Sequence, residues 1–309
     1  MRELVIDDRR IAEDTPCYVV AELGHNHGGS LDIATQMIHA TADAGVDAVK
    51  LQKRENATLY SRALLDQPYD NEHSYGPTYG AHRQALELSP EDLQKLHALA
   101  RWRHVACFAT AFDEASADVL ADLGVPAFKL ASGALTDTAL LRYVAQFRKP
   151  IILSTGGGTF RDVDTAVDLL TGTSAPFALL HATAAYPCAF EELNLRCIPA
   201  MLARYPGIVI GWSAHIHNLS MMLQAHAYGA RILECHVTLN RASKGTDHAF
   251  SLEPSTLKKL CKDLARAHVA AGDGVKRYYD SERKPISKMR RRPTPDGLRI
   301  TGALDEATA

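Results

Sequence analysis

The chain has 309 residues, a formal net charge of −2, and 46% hydrophobic and 23% charged residues. That composition describes a globular protein with a sizeable core, and the length suits one (β/α)8 barrel. Charge is interspersed apart from a short basic run, Arg290 to Arg292, read as a solvated tail, so neither nucleic acid nor an anionic membrane is expected as a partner.

The start, Met1-Arg-Glu-Leu-Val-Ile-Asp-Asp8, is charged and lacks a signal-like apolar segment. No run approaches the roughly 18 apolar residues needed to span a bilayer. The cysteines at 17, 107, 188, 197, 235 and 261 show no CxxC pairing and sit mostly in apolar runs. Buried free thiols in a reducing cytoplasm are the expectation.

In chain order, residues 1–16 read as a hairpin plugging the bottom of a barrel, 17–275 as the barrel, and 276–309 as a polar, basic tail. Strand-like runs are Tyr18–Glu22, Ala48–Gln52, Val105–Thr110, Ala127–Ala131, Ile151–Ser154, Phe177–Ala182, Ile208–Trp212 and Ile232–His236. Between them, stretches such as Leu31–Ala44, Pro90–Arg103, Glu114–Leu123, Asp137–Gln146 and Asn218–Tyr228 repeat apolar residues at helical spacing. Eight such units predict an α/β fold, a closed parallel TIM barrel, because each parallel connection needs a crossover helix. The stretch from Lys53 to about Ser89 is long, tyrosine-rich and punctuated by glycine, which predicts a lid over a substrate.

Polar residues gather where the strands end, the face of a barrel that carries active sites. The first strand ends on Glu22, followed by His25-Asn26-His27; the second carries Lys50 and Gln52; the third leads to Thr110 and Asp113. Then come Lys129 with Ser132, Ser154 with Gly156-Gly-Gly158, His181 with Thr183 and Tyr186, and Ser213 with His215. The last strand ends on His236, and Asp247 lies in the loop beyond. A lysine inside an apolar strand is costly unless an anion compensates it. Two of them, Lys50 and Lys129, with a glycine-rich turn and several hydroxyls describe a phosphate and carboxylate site. His215 and His236 at adjacent strand ends are candidate ligands for a divalent metal that polarises a carbonyl.

Plainer readings stand beside these. The lysines could pair with Glu22 or Asp113 in a structural network, and the triple glycine alone is only a tight turn. His181, His217, His226 and His248 read as structural, and tyrosines 69, 75 and 79 suit packing of the lid as well as substrate contact.

The blocks Ala21-Glu-Leu-Gly-His-Asn-His-Gly-Gly29, Ala48-Val-Lys-Leu-Gln52, Thr110-Ala-Phe-Asp113, Phe128-Lys-Leu-Ala-Ser-Gly133, Ile152-Leu-Ser-Thr-Gly156 and Ser213-Ala-His215, with the Glu234-to-His248 stretch, resemble the sialic acid synthase family. The resemblance runs in register from about residue 17 to 293. It implies a TIM barrel that condenses phosphoenolpyruvate with a sugar-like aldehyde, giving a 3-deoxy-2-ulosonic acid and phosphate. His215 and His236 would hold a divalent metal, Mn2+, with Mg2+ or Co2+ as alternatives. Lys50, Thr110, Lys129, Ser132, Ser154 and Ser213 would bind phosphoenolpyruvate, Tyr186 would sit near the reacting centre, and Glu22, Gln52, Asn26 and Asp247 would contact or orient the acceptor.

The chain departs from the family pattern at Ala134 (usually Glu), Ala184 (Asn), Ala214 (Asp) and Asn240 (Asp). An acceptor other than N-acetylmannosamine is therefore expected, since a site that loses buried hydrogen-bonding partners discriminates against its old substrate. The resemblance also leads one to expect an antifreeze-like C-terminal domain, for which the chain ending at Ala309 leaves no room. The lid or the basic tail would then close the site, and homodimerisation stays open. An ordinary N-acetylneuraminate, legionaminate or pseudaminate synthase, and a non-catalytic barrel that binds a sugar phosphate, are the alternatives.

Overall fold

The computed structural model describes residues 2–304. Two strands, β1 (Glu3–Ile6) and β2 (Arg9–Ala12), form an antiparallel hairpin. Eight parallel strands follow: β3 (Tyr18–Glu22), β4 (Ala48–Lys53), β5 (Ala106–Ala111), β6 (Phe128–Leu130), β7 (Ile151–Ser154), β8 (Phe177–Ala182), β9 (Val209–Ala214) and β10 (Ile232–His236). They close into a barrel in sequence order, β10 pairing with β3 so that His236 lies beside Glu22. The strands are buried on both faces, which is why they read as unbroken apolar runs.

The helices are α1 (Leu31–Ala44), α2 (Asn56–Leu59), α3 (Arg62–Leu65), α4 (Tyr79–Leu86), α5 (Pro90–Trp102), α6 (Glu114–Asp122), α7 (Thr138–Ala145), α8 (Phe160–Thr171), α9 (Cys197–Arg204), α10 (Leu219–Ala227), α11 (Pro254–Ala271) and α12 (Asp280–Ser287). Side-chain caps fix several starts: Ser30, Ser89, Asp113, Asp137 and Asn218 each accept a first-turn N–H. Asp113 is thus a cap, and it also accepts the Glu55 N–H at 2.8 Å, so it does not serve as a partner for either strand lysine.

Leu4, Ile6 and Ile11 of the hairpin join the buried core, and Ile6 and Arg9 share a cavity with Tyr18, Asp47, Ala106 and Pro126 at the strand starts. The hairpin therefore covers the N-terminal mouth of the barrel. The stretch between β4 and α5 is not a bare loop: α2, α3 and α4 occupy it, each started by a side-chain cap from Glu55, Ser61 or Thr78. Gly29, at φ +78°, allows α4 to press on the loop after β3, since a Cβ there would meet the Ala85 carbonyl at 2.0 Å.

The chain forms two compact units, one up to His268 and one from Val269. Within the second, the expected tail contains α12 and the hairpin β11 (Arg291–Thr294) with β12 (Gly297–Ile300); its last five positions, 305–309, lie outside the described residues. All six cysteines are free thiols. Among the described residues no helix is long and apolar enough to cross a membrane.

Candidate active site

Strand alternation aims Glu22, Lys50, Gln52, Thr110, Lys129, Ser154, Ser213, Glu234 and His236 to the inside of the barrel, where they line one cavity of about 490 Å3 at its C-terminal mouth. Ser132, Tyr186, His215 and Asp247 complete it from the loops. Among the side chains to which the resemblance gives a part in binding or catalysis only Asn26 is absent from the lining. Its amide donates to the Val237 carbonyl at 2.7 Å and the Ser251 hydroxyl at 2.9 Å, tying the first loop to the end of β10. Asn26 is therefore a structural clamp here rather than an acceptor contact.

The centre of the cavity is an ionic set. Lys50 Nζ lies 2.8 Å from Glu22 Oε2 and 3.8 Å from Glu234 Oε1, and donates to Thr110 Oγ1 at 2.6 Å. Lys129 Nζ donates to Ser154 Oγ at 2.7 Å and the Leu130 carbonyl at 2.8 Å. Burial pulls the Lys129 ammonium down to about 8, with Glu234 opposing the shift. Glu234 is held at about 2: burial alone would raise it, but Lys129 and Lys50 outweigh that. The hydroxyls expected to meet substrate are wired into this set. Ser213 donates to Glu234 at 3.0 Å, and Ser132 Oγ accepts the Gly156 N–H at 3.0 Å. Gly156 is required there, because a Cβ would stand 2.7 Å from that oxygen.

Gln52 bridges outward, donating to Glu22 Oε1 and accepting from Arg54 at 2.6 Å. Arg54 also donates to His25 Nε2 at 2.8 Å. Glu234, Arg54, His82 and Arg83 line the same cavity but were not singled out from the sequence as site residues, whereas His25, also in the lining, stood among the polar residues at the strand ends. Glu234 carried a usable signal: it sits two residues before His236 in an apolar strand, as unusual there as Lys50 and Lys129 in theirs. Arg54 and Arg83 sit in a polar segment where a charge attracts no notice.

The two histidines come together with ring centroids 5.4 Å apart and nearly perpendicular. His215 Nδ1 pairs with the Thr183 carbonyl at 2.7 Å, which as the donor side leaves Nε2 with a free lone pair. Burial, then His236, pushes His215 down to about 4, so the ring is neutral. His236 Nδ1 is buried without a hydrogen bond, 3.5 Å from Asp247 Oδ2. An orphaned ring nitrogen, a neutral imidazole with a free lone pair and a nearby carboxylate fit a divalent ion of N/O preference. No group of three or more metal-ligating side chains is found among the described residues, so water and substrate oxygens would fill the remaining positions. Tyr186 packs over His215 at 4.1 Å, with its phenol pushed up to about 12 by burial and then by Asp247.

Three of the histidines read as structural, His181, His226 and His248, are engaged as such. His181 bonds the Leu193 carbonyl, His226 the Ala230 carbonyl and His248 the Thr238 hydroxyl, while His27 accepts the Gly29 N–H. Of the positions that shrink to alanine, Ala184 lines the cavity; Ala134 and Ala214 are buried outside its lining. Asn240 accepts the Ala242 N–H in a turn. The altered pocket wall thus reduces to Ala184.

A family model described as the NeuB family matches residues 37–276. The chain is 34% identical to human N-acetylneuraminate-9-phosphate synthase over 274 residues, covering 89% of this chain and 76% of that protein. It is 34% identical to N,N'-diacetyllegionaminic acid synthase of Campylobacter jejuni over 277 residues, covering 88% and 83%. Among solved structures, the N-acetylneuraminic acid synthetase of Leptospira borgpetersenii, in complex with citrate, superposes with a TM-score of 0.81 at 29% identity, covering 92% and 95%.

Proposed function

Because this chain belongs to the NeuB family, with relatives named as synthases of N-acetylneuraminate 9-phosphate, diacetyllegionaminic acid and pseudaminic acid, we propose that it condenses phosphoenolpyruvate with a sugar-like aldehyde other than N-acetylmannosamine. It is a synthase that forms a carbon–carbon bond. In the proposed reaction C3 of phosphoenolpyruvate bonds to the aldehyde carbon, whose oxygen takes a proton. Water adds to C2 and gives one proton to that oxygen; its second proton passes to the departing phosphate as the bond between C2 and the bridging oxygen breaks, which leaves a 2-keto group, so that a 3-deoxy-2-ulosonic acid and inorganic phosphate are released.

The observation that carries this reading is the buried set of Lys50, Lys129, Glu22 and Glu234 facing two histidines in one cavity. Lys129 and Lys50, fixed by Ser154 and Thr110, hold the charged groups of phosphoenolpyruvate and stabilise charge as it moves. The Gly156 turn, braced on Ser132, and Ser213 complete that subsite. Glu22, held by Lys50 and Gln52, and Asp247 orient the acceptor, with Tyr186 over the reacting centre. His215 and His236 would hold Mn2+, with Mg2+ or Co2+ as alternatives; when bound, the ion supplies Lewis-acid polarisation of the aldehyde carbonyl.

The test is phosphate release from phosphoenolpyruvate by chelator-treated protein with added manganese and a panel of acceptor aldehydes. Release that needs metal and acceptor and disappears in His236→Ala is the expected result. Tight manganese binding without release for any acceptor would instead identify a non-catalytic barrel.

A further inference from the structure

Arg54 follows β4 directly and is 5% exposed, yet its shortest bonds do not go to a carboxylate. Its guanidinium lies 3.5 Å from Glu87 Oε1, and Glu87 also meets Lys53 at 3.6 Å, so one anion is shared between two cations. The short bonds go elsewhere. Nη2 donates to Gln52 Oε1 at 2.6 Å and Nη1 to His25 Nε2 at 2.8 Å, and both partners line the cavity. The guanidinium also stacks on Phe112 at 3.8 Å. Burying an arginine against a shared, distant carboxylate is a poor way to stabilise a fold, because the desolvation of the cation is only partly offset. The arrangement is better suited to holding its neighbours.

Each bond removes a choice. A guanidinium donates and never accepts, and a carboxylate only accepts. Gln52 stands between one of each: its oxygen takes the Arg54 N–H, so its amide nitrogen is turned to donate to Glu22 Oε1. The flipped amide would lose both bonds and set its oxygen against the Glu22 carboxylate. His25 is fixed in the same way. With Nε2 accepting from Arg54, a neutral ring carries its proton on Nδ1, which has no partner among the described residues. Burial and then Arg54 keep the ring neutral. Both oxygens of Glu22 are thereby engaged, Oε1 by Gln52 and Oε2 by Lys50 at 2.8 Å. Arg54 is the outer end of the chain Arg54–Gln52–Glu22–Lys50, whereas Lys129 and Ser154 bond each other on β6 and β7.

Resting on the condensation reading above, we propose that Arg54 is a positioning residue for the acceptor aldehyde: it sets the orientation of the Gln52 amide and the Nδ1–H tautomer of His25, so that the acceptor meets a carboxylate that accepts and a ring N–H that donates. A hydroxyl group complements that pair, since it donates and accepts at once. Phosphoenolpyruvate, whose anionic groups only accept, has no use for the Glu22 end.

Two measurements test this, one of them without catalysis. Nitrogen NMR of the full chain with isotope-labelled histidine, in Mg2+, reads the tautomer, and His25→Gln assigns the signals. The wild type should hold the His25 proton on Nδ1, and Arg54→Met should release it to Nε2. Phosphate release is then followed with N-acetylmannosamine, mannose and arabinose as acceptors. For each that turns over, Arg54→Met should raise the acceptor KM about tenfold, the value of one hydrogen bond to a charged group, and leave the KM of phosphoenolpyruvate within about twofold. Arg54→Lys keeps a charge beside Glu87 and can serve one of the two partners, so it should recover part of the loss; it also covers the case in which Arg54→Met does not fold. Because Arg54 acts through Gln52, Arg54→Lys should raise the acceptor KM less in a Gln52→Leu background than alone. A wild-type proton on Nε2, a tautomer unmoved in folded Arg54→Met, additive losses from Arg54→Lys and Gln52→Leu, or an equal rise in both KM values overturns the positioning role. A proton that leaves Nδ1 in Arg54→Met, without turnover of any acceptor, upholds the hold on His25 and removes the condensation. Turnover with the acceptor KM unmoved in the variants removes the positioning role alone.

Discussion

At the C-terminal mouth of the barrel Glu22, Lys50, Lys129 and Glu234 are each at most 4% exposed, whereas at the N-terminal mouth Arg9, with its side chain 48% exposed, meets Asp47 at 3.5 Å. The cavity at the N-terminal mouth is the larger, about 720 Å3 against about 490 Å3. Volume is therefore a poor guide to function in this molecule. A single, partly exposed pair such as Arg9 with Asp47 is worth about 0–1 kcal/mol and settles nothing about chemistry. Four ionised groups held away from water cost stability unless each is partnered, and such groups concentrate where charge must be handled. The hairpin end stabilises the fold, and the opposite end spends stability on a preorganised site.

The contrast breaks most sharply at Lys50. Lys50→Met would leave Glu22 without its ion-pair partner at 2.8 Å and Glu234 with Lys129 as its remaining cation. Removing one partner of a buried ionic set costs about 3–5 kcal/mol, and turnover should fall on the order of 10²–10³-fold in whatever protein remains folded. Urea denaturation and the phosphate-release assay check the two arms. Unchanged stability would mean that the quartet is solvated and that the contrast between the ends is false.

At the other end the expectation reverses. Ile6, fully buried in the hairpin, packs into the core cluster and lines the cavity at the N-terminal mouth, not the one that holds Lys129. Ile6→Ala should cost about 2–5 kcal/mol of stability, as large-to-small changes in packed cores do. Both kcat and the KM for phosphoenolpyruvate should stay within twofold of the parent, on the order of the assay's scatter. A selective loss of kcat in folded protein would show that the plug also shapes the site.

How much of this was legible in the sequence differs between the ends for a physical reason. Strands buried on both faces give continuous apolar runs, so the barrel strands Tyr18–Glu22, Ile151–Ser154, Phe177–Ala182 and Ile232–His236 coincide with the runs that predict them. Lys50 and Lys129 stand out because a cation in such a run needs a reason. Glu234 needs the same reason and was passed over beside the more conspicuous His236. Arg54 and Arg83 become visible only once the lid is folded, because nothing in a polar, tyrosine-rich stretch tells which arginine turns inward. Asn26 misleads in the opposite direction, since a polar residue among glycines and histidines resembles a ligand contact, and only the folded loop reveals its bonds to Val237 and Ser251.

Lys129 offers the gentlest way to sharpen the comparison, because it needs only a change of pH. Its ammonium faces Glu234, Lys50 and Glu22 and donates to Ser154 Oγ and the Leu130 carbonyl. Burial lowers it from the ordinary lysine value to about 8, the direction in which the charged form is lost on the alkaline side. Below pH 8 Nζ is protonated and holds an anion; above it the neutral amine does not. The KM for phosphoenolpyruvate should accordingly be flat near pH 7 and rise above pH 8 by about tenfold per unit, as for one titrating group. Lys129→Arg should move the alkaline limb beyond the accessible range, since a guanidinium titrates above about 12. A limb that stays at pH 8 in Lys129→Arg would transfer the titration to another group and leave the buried lysine without its assigned part in binding phosphoenolpyruvate.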